Sequence, residues 1–192
     1  MDPIIFGTIV LVATPAAAAV ARFFRRRKQD PKSASTPPPR LLSDPRDAQI
    51  LRVGDVVTYL EESYWLAGEL SLKREGVQVL RLFLAPEKGA DRWLAVLRDG
   101  LSVWILEADS ELAAVGFPGV ELPLGGRTMR RSEFGNVALM PQGECAKEWE
   151  GMGLFAMFRA HDTVAIYIES AVLGRLALKG REIPRQLLQK MG

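Results

Sequence analysis

Two glutamates stand out in this chain as candidates for acid–base work. Glu107 closes the apolar run LSVWILEA and Glu169 closes TVAIYIES, so the two carboxylates fall at comparable places on two comparable segments. Carboxylates brought face to face cannot both ionise freely, and one acquires the raised pKa that a general acid needs. The plainer reading leaves each as a strand-end charge in water. His161 and Asp162 are adjacent in AHDT. They could form an acid–base pair, or simply occupy an exposed hairpin turn. Cys145, in GECAKEW, has no neighbouring cysteine or histidine, which points to a buried or incidental thiol rather than a nucleophile. Trp149, between charged residues Lys147, Glu148 and Glu150, is the aromatic expected to be exposed and the candidate anchor for a protein partner. Trp65, Trp93, Trp104 and Tyr167 lie in apolar runs and are expected in the core.

Simple counts remove much other chemistry. With one cysteine there is no intrachain disulfide and no cysteine-based zinc site. With one histidine, any Ser/His/Asp or Cys/His site must use His161, and no G-x-S-x-G motif accompanies it. No glycine-rich phosphate loop is present, so no cofactor or metal is implied. The lone thiol agrees with a reducing compartment.

Charge divides the chain in two. Residues 1–40 hold 7 Lys/Arg and 2 acids, which leaves 18 basic and 21 acidic groups, a net of −3, in residues 41–192. The formal charge of +2 therefore comes from the N-terminal appendage. A mildly acidic body attracts phosphate backbones poorly, which argues against nucleic acid.

That appendage reads as a membrane anchor, residues 1–28. Ile4–Ala21 is uncharged and as a helix reaches roughly 27 Å, close to a hydrocarbon core of about 30 Å. Arg22 can snorkel, letting Phe23 and Phe24 complete the span in the interface, and Pro15 is tolerable in lipid. Arg25, Arg26, Arg27 and Lys28 follow as a basic collar. A signal peptide would carry its cations before the apolar run, and a core helix would show a polar face. Cations behind the span hold that end in the cytoplasm. The expected arrangement is a single pass through the plasma (inner) membrane, N-terminus outside and the remainder inside. Residues 29–50, rich in Pro, Ser and Lys at their start, are expected as a disordered linker.

From residue 51 to 192 turn residues recur every few positions. VQVLRLFLA (Val77–Ala85) alternates like a half-buried strand, and Asp99–Gly100 between two apolar runs is a hairpin signal. Further turns are expected at Gly135–Asn136, His161–Asp162 and Gly180, and Pro184–Met191 reads as a short C-terminal helix with proline first. Trp93–Ala108 and Val164–Gly180 share one pattern of apolar strand, polar break and second apolar strand. The expected fold is therefore mainly β: a compact antiparallel β-roll or sandwich of two similar halves, about 51–118 and 119–183, then the helix. Duplication would explain the echo; so would any meander.

LRVGDVVTYLEESYWLAGEL, RWLAVL, VAIYIES and LKGREI resemble the bacterial domain of unknown function 4178 family over about Leu51–Ile183. The match to that family's late I-E motif includes Glu169, whereas Leu97 stands where members often carry an acid. The resemblance implies a compact, mostly-β domain without established catalytic residues, associated with bacterial membrane and envelope-stress gene neighbourhoods. Together these readings favour a non-catalytic protein-interaction or scaffold module held at the membrane by its anchor, with a membrane or cytoplasmic protein as partner. The alternative is a small-molecule-binding domain or enzyme using Glu107 and Glu169.

Overall fold

Frequent turn residues and two-residue alternation give short antiparallel strands throughout. The computed structural model describes residues 40–42, 45–87, 90–114, 116–145 and 147–191. The strands are β1 (Arg40–Leu41), β2 (Val56–Tyr59), β3 (Glu62–Trp65), β4 (Gly68–Arg74), β5 (Val77–Ala85), β6 (Arg92–Leu97) and β7 (Val103–Ala108), continuing with β8 (Glu121–Leu124), β9 (Arg127–Gly143), β10 (Gly151–Ala160), β11 (Thr163–Ser170), β12 (Gly174–Ile183) and β13 (Leu188–Met191). Two short helices interrupt them, α1 (Pro45–Gln49) and α2 (Ser110–Ala114).

Eight of the strands close on themselves. The ladder runs β10-β11-β12-β7-β6-β5-β4-β9, and β9 pairs again with β10. The result is an antiparallel barrel, with β8 added at the edge of β9. A barrel of this size has an interior just filled by side chains. Leu70, Leu82, Trp104, Phe155, Ile166 and Leu178 lie inside with exposures of 1% or less. Topologically the barrel is two four-stranded meanders, β4–β7 and β9–β12, joined first strand to first and last to last. They share one continuous ladder, so the expected sandwich of two facing halves is replaced by a single closed sheet.

Closure needs a close approach between β12 and β7. Gly180 pairs with Leu106, and a Cβ built on Gly180 would lie 2.0 Å from the Ile105 carbonyl oxygen. The expected turn at Gly180 is instead a strand position that only glycine can fill. Gly135, likewise expected in a turn, lies within the 17-residue β9.

Part of the barrel's outer surface is apolar too, and two layers cover it. Sheet β1-β13-β2-β3 with α1 buries Phe83, Leu94, Val96 and Val103 beneath Leu42, Leu51, Val57 and Leu188. On another side α2 and the β8–β9 hairpin bury Phe158, Tyr167 and Ala177 beneath Leu112, Leu122 and Met129.

Two expected boundaries shift. The linker was expected to run to residue 50, but β1 pairs with β13 from Arg40, and Leu42 and Ala48 are fully buried. The expected helix Pro184–Met191 is only a 3-10 turn at Arg185–Leu187 followed by β13. Leu187 is exposed and Leu188 fully buried, the alternation of a strand. An isolated helix of eight residues is marginal, whereas β1 and β2 offer two open edges that β13 fills. Among the described residues no helix is long and apolar enough to cross a membrane. Residues 4–28, including the collar Arg22–Lys28, lie outside them.

Candidate functional site

The two glutamates singled out by the sequence are held apart. Glu107 projects outward from β7 and faces Arg92 of β6 across the ladder, with which it forms an ion pair. Arg92 also reaches Glu87 at 3.4 Å. Glu169 projects from β11 and pairs with Arg175 of β12 at 3.0 Å. Strand β12 lies between them. Glu107 is level with Lys179 and Glu169 with Arg175, so two strand spacings and four residues separate the carboxylates by roughly 16 Å. They share neither a proton nor a pocket.

Glu107 does line a groove of about 430 Å³, between the small sheet and β12, with Tyr59, Glu62, Tyr64, Lys179 and Arg181. The Tyr64 hydroxyl donates to Glu62. Burial, then that hydrogen bond and the adjoining charge, pushes the Tyr64 phenol well above its ordinary value. Lys179 turns away from Glu107 to Asp109, at 2.5 Å. Asp109 in turn accepts the Leu112 amide at 2.9 Å and caps α2.

The other candidates occupy structural positions. His161 and Asp162 form the exposed two-residue turn between β10 and β11, His161 with φ of +53°. Cys145 is buried against the barrel core, and burial, followed by the Glu69 charge, pushes its thiol up to about 12. Trp149 is half-buried and packs on that same core, so it is less exposed than expected. Apolar contacts outweigh the charged residues flanking it in sequence.

A site absent from the sequence-based candidates lies over β4 and β5. Glu69 and Ser71 face outward yet are buried, at 5% and 7% exposure. Arg81, beside them on β5, donates from Nε and Nη2 to the two Glu69 carboxylate oxygens, both at 2.8 Å. Its remaining N–H groups reach the Gln49 and Leu51 carbonyls at 2.8 and 2.7 Å, and its guanidinium lies 4.6 Å from the Phe83 ring centre. Burial alone would raise the Glu69 carboxyl. The hydrogen bonds from Arg81 and Ser71 and the charges of Arg81 and Lys73 outweigh it and hold the group below its usual value. This network floors a groove of about 720 Å³ whose rim carries Arg52, Lys73 and Arg98. The alternation of VQVLRLFLA put Arg81 on its mixed face. What the sequence did not reveal was that a loop some thirty residues upstream would cover it.

Among the described residues no group of three His, Cys, Asp or Glu side chains is placed to hold a metal ion. Comparison of the chain with protein-family models, with curated proteins and with solved structures finds no match in any of the three.

Proposed function

We propose that this protein is a membrane-anchored β-barrel module that acts without catalysis, as a protein-interaction or scaffold unit on the cytoplasmic face of a bacterial inner membrane. The observation that favours this reading over its enzymatic alternative is the fate of Glu107 and Glu169. Each is neutralised by its own arginine on a different part of the barrel, so the carboxylate pair on which an enzymatic reading depended is not assembled. The resemblance of Leu51–Ile183 to the domain of unknown function 4178 family rests on its short motifs alone, without a family-model match, and implies the same membrane setting.

The anchored reading has a geometric corollary. Strand β1, in the small sheet, includes Arg40, so residues 29–39 separate the collar from the described strands. Eleven residues span at most roughly 36–40 Å. A partner is then met at the membrane.

Fractionation tests the anchor: full-length chain should stay with membranes after a high-salt wash, and removal of residues 1–28 should release the barrel as soluble protein. A reporter fused after Gly192 should be active only in the cytoplasm; activity outside the cell would reverse the topology and remove the scaffold reading with it. Crosslinking from the membrane side, followed by identification of the captured protein, then tests the interaction. If Glu169→Gln abolished the biological function with no loss of thermal stability, the enzyme reading would replace this one.

A further inference from the structure

The groove over β4 and β5 departs from the charge balance of its surroundings. Residues 41–192 carry a net of −3, yet among the described residues this groove is lined by Arg52, Lys73, Arg81 and Arg98 against the single carboxylate of Glu69. Arg81 and Glu69 neutralise one another, which leaves three cations. Elsewhere Arg74, Arg92, Arg175, Lys179 and Lys190 each pair with a carboxylate, whereas Arg127, Arg130, Arg131 and Arg159 on β9 and β10 line no comparable groove together. The groove holding Glu107 sets three cations against two carboxylates, and the one beneath α2 sets two against two. Three like charges around one concavity repel one another and focus a positive potential that attracts an anion.

The walls that carry these cations are pinned. Arg81 ties the backbone at Gln49 and Leu51 to the barrel. The Gln49 side-chain amide donates to the Arg98 carbonyl at 2.8 Å, bracing α1 against the β6–β7 turn. Arg52, Lys73 and Arg98 therefore project from three separate elements held in fixed relation, the preorganisation that binding of an anion requires. The rim also has an apolar side, formed by Ile50 and Met140, each more than two-fifths exposed.

We propose that this groove binds a phosphate ester attached to an apolar or glycerol-like substituent. A phosphate monoester brings a charge near −2 and three acceptor oxygens, which suits arginine forks better than a single carboxylate does. Ile50 and Met140 border the site on the side where the carbon skeleton of the ester lies. The ester is either a lipid headgroup or a free phosphorylated metabolite. The lipid source rests on the anchored reading above, whereas the free source does not.

Hydrogen exchange on the full chain separates these outcomes. The chain is placed in nanodiscs of phosphatidylcholine alone, of phosphatidylcholine with phosphatidic acid, or of phosphatidylcholine with added glycerol 3-phosphate. Exchange should slow across residues 49–53, 71–74 and 96–99 in the second condition if the headgroup binds, and in the third if the free ester does. In the Arg52→Gln/Lys73→Gln/Arg98→Gln variant, which leaves Arg81 and Glu69 intact, the midpoint should weaken by about tenfold for each cation that contacts the ester. Unchanged exchange in both arms overturns the proposal. So does slowing that survives in the variant, or that an equal concentration of sulfate reproduces. Should the chain fail to enter nanodiscs, the anchor falls, and the glycerol 3-phosphate arm in solution decides the groove by itself.

Discussion

Arg81 grips Glu69 through both carboxylate oxygens while its other donors hold the backbone at Gln49 and Leu51. One side chain thereby fastens the segment that precedes β2 to the outside of the barrel. Both partners are largely shielded from water, with side-chain exposures of 16% and 6%. Breaking such a pair leaves a charge without its partner and costs about 3–5 kcal/mol. Glu69→Ala or Arg81→Ala should lower stability to denaturant by that order. Replacing both with Leu and Met should recover part of the loss but not all, because the Gln49 and Leu51 carbonyls stay without their donor. Full recovery in the double variant would show that the tie to the upstream segment contributes nothing.

Acid should loosen the same contact. Glu69 and Asp109 both titrate below their ordinary values of 4.5 and 3.8, the first against burial by virtue of Arg81 and the second through Lys179. A carboxyl whose folded-state pKa is depressed contributes stability that is fully present above its unfolded value and is lost as pH falls through its folded value. The midpoint of denaturation should therefore be flat above about pH 5.5 and decline steadily below about pH 4.5. In Glu69→Gln the decline should be shallower from an already lowered plateau. A decline of undiminished slope would mean that other carboxylates carry the acid response.

Local patterning in the sequence conveyed the strands but not their closure. The alternation of Val77–Ala85 appears as written, and Asp99–Gly100 lies in the five-residue turn between β6 and β7, because neighbouring strands and short turns are decided within a dozen residues. Trp93–Ala108 and Val164–Gly180 do occupy matching places, the last two strands of each meander. That the meanders close into one barrel depends on β4–β9 and β7–β12 pairing, between segments some seventy residues apart, for which no local signal exists. Pro184–Met191 reads as a helix because a proline in first position is a start signal. Burial of Leu188 against Val57 and Leu42 decided for a strand. Trp149 misled in the same way, since its charged neighbours say nothing of the core it packs against. Arg81 and Glu69 lie twelve residues apart on paired strands, and their chemistry arises only when the segment around Gln49 folds over them.

The separation of Glu107 and Glu169 has a measurable consequence. Each sits in an ion pair open to solvent, with side-chain exposures of 49% and 39%, and exposed pairs of this kind contribute at most about 1 kcal/mol. Glu107→Gln and Glu169→Gln should each shift stability by less than that. In the double variant the shifts should add to within about 0.5 kcal/mol, as expected for sites without shared partners. A coupling energy well beyond that value would mean that the carboxylates sense one another, and the enzymatic reading would regain its footing.

Gly180 is where closure of the barrel is most exposed to a single methyl group. Its Cβ would stand 2.0 Å from the Ile105 oxygen and 2.9 Å from the Leu106 Cα, backbone atoms that can retreat only by parting β12 from β7. Gly180→Ala should therefore cost about 3 kcal/mol or more, the range of severe overpacking. Amide exchange at Leu106 and Leu178, whose strands meet in the β7–β12 ladder, should rise with it. Gly125→Ala supplies the contrast. It lies at φ of +58° in the β8–β9 turn with nothing near its Cβ position, so it should lose only about 1 kcal/mol from backbone strain and leave exchange in the barrel unchanged. If the two variants proved equally mild, β7 and β12 would not approach as closely as a closed barrel requires, and the ladder joining the two meanders would be open at that seam.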